Sequence, residues 1–151
     1  MHPEQTTRGE VPLLLAKVLR LMTGHAANSA RPVHALAFQF LRDHDGATVN
    51  ALAEYLEITK QSVSELVANS EREGYVKRAR NSVDARSSIL RLTNKGEHRL
   101  ASLLELWGEA EDRWAACIGR KRFMKLQNDL KVYLKECSTD GRKKVGAGGR
   151  S

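Results

Sequence analysis

What this sequence has little of narrows it first. Two cysteines, Cys117 and Cys137, occur in 151 residues. That is too few for a disulfide scaffold, and their spacing fits no CxxC redox or metal motif, so both thiols are expected to be buried. Long apolar runs are missing as well. The longest apolar stretch, Val11 to Met22, is broken by Lys17 and Arg20, and nothing approaches the roughly 18 apolar residues of a bilayer span. No basic start followed by an apolar run marks a secretory leader, so a cytoplasmic protein with no membrane partner is expected. Catalytic signatures are absent too: there is no Gly-rich phosphate loop, no GxSxG and no Ser-His-Asp grouping. The chain reads as no enzyme, with no catalytic residue and no cofactor. Its five histidines, His2, His25, His34, His44 and His98, fall at no HxH or HExxH spacing, so no metal site is expected.

What is present is a foldable composition with a basic balance. Hydrophobic residues make up 41% and charged residues 28%, the net charge is +7, and the length suits one domain with appended arms. A surplus of cations favours polyanionic partners, although an even +7 serves equally for solubility.

Helical periodicity dominates. Val11, Leu14, Leu15, Val18, Leu19 and Met22 recur at helical spacing behind Pro12, while Leu13 and Leu21 widen the stripe beyond one face. A helix apolar on more than one side needs two surfaces, which in a short chain points to another subunit. A second helix opens at Pro32, with Val33, Leu36, Ala37, Phe40 and Leu41 expected inward, and ends at Asp45-Gly46. Thr48 caps a third helix with Val49, Leu52, Ala53 and Leu56 on one face. Thr59 caps a fourth, in which Val63, Leu66, Val67 and Ser70 face one way and Gln61, Ser64, Glu65 and Ala68 the other. Only Glu57 and Ile58 lie between them, which is helix-turn-helix spacing. Tyr75–Arg78 and Ile89–Leu92 then read as two short strands joined by a polar loop. A long helix from Thr93 follows, then another from about Lys121 to Cys137 carrying Phe123, Leu126, Leu130, Tyr133 and Leu134. The Gly-, Lys- and Arg-rich remainder reads as unstructured.

The composite over residues 48–93 carries the chemistry. The second helix of a helix-turn-helix fits the DNA major groove, and the fourth helix presents Lys60, Gln61, Ser64 and Glu65 near its N-terminal end. Gln61 can pair with adenine, Glu65 can accept from a cytosine amino group, and Lys60 can meet phosphate or guanine. Taken alone, this stripe is equally a solvated helix face. The hairpin shifts the balance: Lys77, Arg78, Arg80, Arg86 and Arg91 stand against a single Asp84. Arg86 at the tip suits a narrow minor groove, with Asp84 expected to orient its guanidinium.

Four pieces also carry a family likeness: Ala51-Leu-Ala-Glu-Tyr-Leu-Glu-Ile-Thr-Lys-Gln-Ser-Val-Ser-Glu-Leu-Val67, Glu71-Arg-Glu-Gly-Tyr-Val-Lys-Arg78, Asp84-Ala-Arg86 and Leu92-Thr-Asn-Lys-Gly96. In order and spacing the chain resembles the MarR family of bacterial transcriptional regulators, over roughly Pro12 to Cys137. The resemblance implies a mainly α fold with a small β-hairpin wing, a winged helix-turn-helix with N- and C-terminal dimerisation helices. It implies a homodimer on a pseudo-palindromic double-stranded DNA operator, commonly a repressor released by a small ligand, and hence a nucleoid-associated location. Domain limits follow as a flexible arm 1–11, a dimerisation helix 12–31, a DNA-binding domain 32–96, dimerisation helices 97–137 and a disordered basic tail 138–151. The DNA-binding set is Thr59, Lys60, Gln61, Ser62, Ser64 and Glu65 on the reading helix with Arg78, Arg80, Asp84 and Arg86 on the wing. Glu65 departs from the basic residue often found at its position. An effector cleft for an aromatic acid would be lined by Arg20, His25, His34 and Trp107. Taken singly, Trp107 reads as core and Arg20 as a solvated or subunit-bridging cation. A helical scaffold protein without sequence-specific DNA binding is the alternative; it accounts for the long helices and leaves the wing unexplained.

Overall fold

The computed structural model describes residues 8–24 and 31–145, with side chains as far as Cys137. Among these residues the order is α1 (Glu10–Thr23), α2 (Pro32–Asp43), α3 (Val49–Leu56), α4 (Lys60–Arg72), β1 (Val76–Arg80), β2 (Ser88–Leu92), α5 (Asn94–Ile118) and α6 (Arg120–Val145). The chain divides into two compact units, Met1–Gly108 and Glu109–Ser151.

The core of the first unit forms where α2, α3, α4, the hairpin and the start of α5 turn apolar faces on one another. Phe38, Leu52, Val63, Val67 and Leu90 are completely buried there, with Leu100 nearly so. Burying side chains of this size contributes about 1.5–3 kcal/mol each. The α4 pattern is as read from the sequence: Val63, Leu66, Val67 and Ser70 are buried, and Gln61, Ser64, Glu65 and Ala68 are exposed. Ser70 satisfies its buried hydroxyl by donating to the Leu66 carbonyl at 2.9 Å.

On α2 the expected face is corrected. His34, Ala35, Ala37, Phe38 and Leu41 are buried, whereas Leu36 is exposed and Val33 and Phe40 are half-buried. Seven apolar residues between Val33 and Leu41 leave periodicity unable to choose the inward side. Packing chooses it by seating the Phe38 ring 5.8 Å from that of Tyr75. Phe40 instead stacks against His44 and Tyr55, at 4.2 and 4.5 Å between ring centroids.

The caps form as the sequence reading expects. Thr48 Oγ1 accepts from the Ala51 amide at 3.1 Å and Thr59 Oγ1 from the Ser62 amide at 3.1 Å. The turn between α3 and α4 is made by Glu57 in the left-handed region, φ 55°. The two strands pair antiparallel, Val76 opposite Leu92 through Arg80 opposite Ser88. One more rung, outside the two strands and unforeseen from the sequence, joins Ala47 to Leu90, whose amide donates to the Ala47 carbonyl at 2.7 Å. That rung requires Gly46, at φ 93°, because a Cβ there would lie 2.7 Å from Ile89.

Three further expectations are corrected. The first helix starts at Glu10, placing Pro12 inside its first turn, where no backbone donor is needed. The last helix does not stop at Cys137 but runs to Val145. A stripe that turns polar removes a packing face, but it does not by itself end a helix already propagating. Cys117 and Cys137 are both exposed in the single subunit, not buried.

The ends of the chain's apolar pattern stay uncovered. Helix α1 buries none of its residues; Val11, Leu13, Leu14, Leu15, Leu19 and Leu21 are all exposed, Leu21 by 83%. In the second unit Phe123 is buried, its ring 5.4 Å from that of Trp114, while Leu130, Val132, Tyr133 and Leu134 of α6 are exposed. No helix among the described residues is long and apolar enough to cross a membrane.

Candidate nucleic-acid interface

The reading helix presents its N-terminal turn to solvent. Thr59, Lys60, Gln61, Ser62, Ser64 and Glu65 are all exposed, and they lie where free amides and the positive end of the helix dipole favour a phosphate. Two of them restrain each other: Gln61 Nε2 donates to Glu65 Oε1 at 3.5 Å, one helical turn on. Thr59 spends its hydroxyl on the cap and on a 2.9 Å hydrogen bond with Ser62 Oγ. Both residues therefore shape the entry of the helix as well as facing outward.

The wing is a short ladder closed by side chains. Asn81 Oδ1 accepts from the Val83 amide at 3.0 Å, Asn81 Nδ2 donates to Ser87 Oγ at 2.8 Å, and Ser87 Oγ donates to the Asp84 carbonyl at 3.3 Å. Asp84 is not the partner of the Arg86 guanidinium that the sequence suggested. Its Oδ1 accepts from the Arg86 backbone amide at 3.0 Å. A carboxylate two residues before an amide closes an Asx-turn, and that spacing was the overlooked signal. The Arg86 guanidinium is left exposed, as are Lys77 and Arg80, and none of the three makes an ion pair among the described residues. Arg78 differs: its Nε donates to both carboxylate oxygens of Glu71, at 3.1 and 3.0 Å. This bond fastens β1 to the last turn of α4. Arg91, on β2, reaches Asp45 at 3.4 Å.

Of the four residues read as an effector site, the three that are described, Arg20, His34 and Trp107, do not gather at one place. Arg20 lines a cleft of about 580 Å³ between α1 and the start of α2, together with Leu19, Thr23, Arg31 and Val33. Arg31, which sequence reasoning passed over, faces the same cleft; its position beside the helix-opening Pro32 was the available clue. His34 lines a neighbouring cleft of about 250 Å³, which shares Arg31 and Val33 with the first and where Ile58, Ser62, Glu65 and Asn69 also lie. Its Nδ1 is buried without a hydrogen-bond partner. Burial, reinforced by the Arg31 guanidinium, holds the imidazole below its ordinary pKa, with Glu73 opposing. Trp107 packs against the core of the first unit. His25 lies outside the described residues. Among the described residues no group of three or more His, Cys, Asp or Glu is placed to hold a metal ion.

Known proteins bear on this arrangement. The MarR family model matches residues 31–87, from the start of α2 into the wing. Solved structures share the fold at low identity. The PcaV transcriptional regulator from Streptomyces coelicolor superposes with a TM-score of 0.72 at 18% identity, over 89% of this chain and 99% of its own. The transcriptional repressor CouR, solved bound to a 23-mer DNA duplex, gives 0.72 at 23% identity, over 87% and 99%. NadR, solved with 4-hydroxyphenylacetate, gives 0.62 at 22% identity, over 89% and 96%. No curated protein matches the chain.

Proposed function

We propose that the chain, whose residues 31–87 match the MarR family model, is a homodimeric transcriptional regulator of bacterial type, acting on the nucleoid in the cytoplasm. It binds a pseudo-palindromic operator, with α4 in the major groove and the wing tip in the minor groove. Two-fold symmetry sets the reading helices of the two copies about 34 Å apart, one turn of DNA. The observation that carries this reading is the pairing of two exposed, fixed elements on one scaffold. The polar N-terminal turn of α4 and the unpaired Arg86 are held to a common core by the Arg78–Glu71 bond and the Ala47–Leu90 rung. CouR, which shares this fold, is a DNA-bound repressor.

On the same scaffold, repression is released by a small aromatic acid. The α1–α2 cleft supplies two guanidinium groups, Arg20 and Arg31, beside Leu19 and Val33, a lining suited to a carboxylate on an apolar ring. NadR, of the same fold, was solved with such an acid.

The test is selection of bound duplexes from random DNA, repeated with 4-hydroxyphenylacetate present, followed by Arg86→Ala on the recovered duplex. The variant is expected to remain dimeric, to bind about tenfold more weakly and to lose about one unit of salt slope. Selection that enriches no duplex, or a variant that binds like the wild type, favours a scaffold role instead.

A further inference from the structure

We infer that Lys95 is a positioning residue for DNA reading, setting the tilt of α4 from the end farthest from the bases; this rests on the operator-binding reading above. A helix leaves its last carbonyls without internal partners. At the end of α4, Asn69, Ser70 and Glu71 direct theirs to the amides of Glu73, Tyr75 and Gly74. The carbonyls of Glu73, Gly74 and Tyr75, in the cap and link just beyond α4, are taken up by Thr93 and Lys95 where α5 begins. Lys95 Nζ donates to the Glu73 carbonyl at 2.7 Å. Thr93 Oγ1 donates to the Gly74 carbonyl at 2.6 Å, and the Thr93 amide to that of Tyr75 at 2.9 Å.

The closure is tight on both sides. Thr93 Oγ1 also accepts from the Gly96 amide at 3.1 Å, and a Cβ on Gly96 would run into the Tyr75 carbonyl oxygen. The Lys95 ammonium stands 5.2 Å from the centroid of the Tyr75 ring, which itself meets Phe38 of the core. The Leu-Thr-Asn-Lys-Gly run of the sequence thus acquires a mechanical meaning: Thr93, Lys95 and Gly96 dock the foot of the reading helix.

Charge favours the arrangement as well, because a cation at a helix C-terminus meets the negative end of the dipole. Leverage gives it consequence. Helix α4 has 13 residues, about 20 Å at 1.5 Å per residue. A rotation of about 5° at its foot moves the reading turn by nearly 2 Å, far outside the tolerance of a base-edge hydrogen bond. Lys95 itself touches no base in this scheme.

The discriminating experiment compares the full-length wild type with Lys95→Met, which keeps the aliphatic stem and removes the donor, and with Lys95→Arg. Each binds the duplex recovered with the wild type and a scrambled duplex of equal length, across a salt series, with thermal unfolding alongside. Lys95→Met is expected to lose about tenfold on the recovered duplex, the scale of one base contact, with affinity for the scrambled duplex and the salt slope unchanged. Lys95→Arg is expected to restore most of that loss. Three outcomes overturn the inference. Equal losses on both duplexes with a salt slope smaller by about one would make Lys95 a phosphate contact. A lower Tm with both affinities kept would make it ordinary packing. A wild-type chain that prefers no duplex would remove the operator reading, and this inference with it.

Discussion

Helices α1 and α2 share a grammar and differ in outcome. Each carries a proline in its first turn, each is short, at 14 and 12 residues, and each has an apolar stripe. Yet α2 buries five residues and α1 buries none. The difference lies in what stands opposite. Helix α2 meets α3, β2 and the Tyr75 ring within its own chain, whereas the leucines of α1 face outward in the single subunit. An amphipathic pattern therefore states that a surface must be covered without stating which chain supplies the cover. One helix belongs to a lobe that closes on itself; the other keeps its apolar face open in the single subunit.

The sharpest way to break this comparison is to empty the α2 side of it. Phe38→Ala removes a ring with no solvent exposure and is expected to cost about 3–5 kcal/mol, read by chemical denaturation. A loss below about 1 kcal/mol would mean that α2 is no better packed than α1. On the other helix, Leu15→Asp with Leu19→Asp is expected to leave the far-UV circular dichroism of the lobe intact while dissociating the proposed dimer. Burying either charge across an interface would forfeit about 2 kcal/mol or more. Sedimentation equilibrium checks it, and an unaltered dimer would assign the second copy to some other surface.

A smaller effect distinguishes the two helices by pH. His34 is held neutral in the fold by burial and by Arg31, so the unfolded chain takes up the proton first as pH falls. Stability is therefore independent of this group above its ordinary value of 6.5 and declines as pH drops below it. His34→Gln is expected to flatten the decline below about pH 6.5 in urea titrations. An unchanged slope would show that other groups govern the acid limb.

Much of the helix-turn-helix lobe is legible in the sequence. The inward and outward residues of α4 and the caps Thr48 and Thr59 follow from local spacing and hydroxyl chemistry, and the structure has them in those places. Two kinds of information were not legible. One is a choice among equivalent faces: α2 is apolar nearly all round, so the burial of Phe38 rather than Phe40 was settled by Tyr75, almost forty residues away. The other is the destination of a polar atom. Asp84 and Arg86 read as a side-chain pair, but a backbone amide was nearer and took the carboxylate. Of the effector residues, Arg20 on α1 and His34 on α2 line neighbouring clefts that share Arg31 and Val33, because sequence separation does not reveal which way a residue on either helix faces.

The wing tip separates frame from message. Asn81, Asp84 and Ser87 hold its shape through their own side chains, whereas the side chains of Ser82, Val83, Ala85 and Arg86 have no such duty and stand exposed, Val83 by 94%. Those four positions can be rewritten without dismantling the hairpin. A lineage of such proteins can drift toward new targets by editing this cassette while the three struts stay put, and a protein engineer can do the same at the bench.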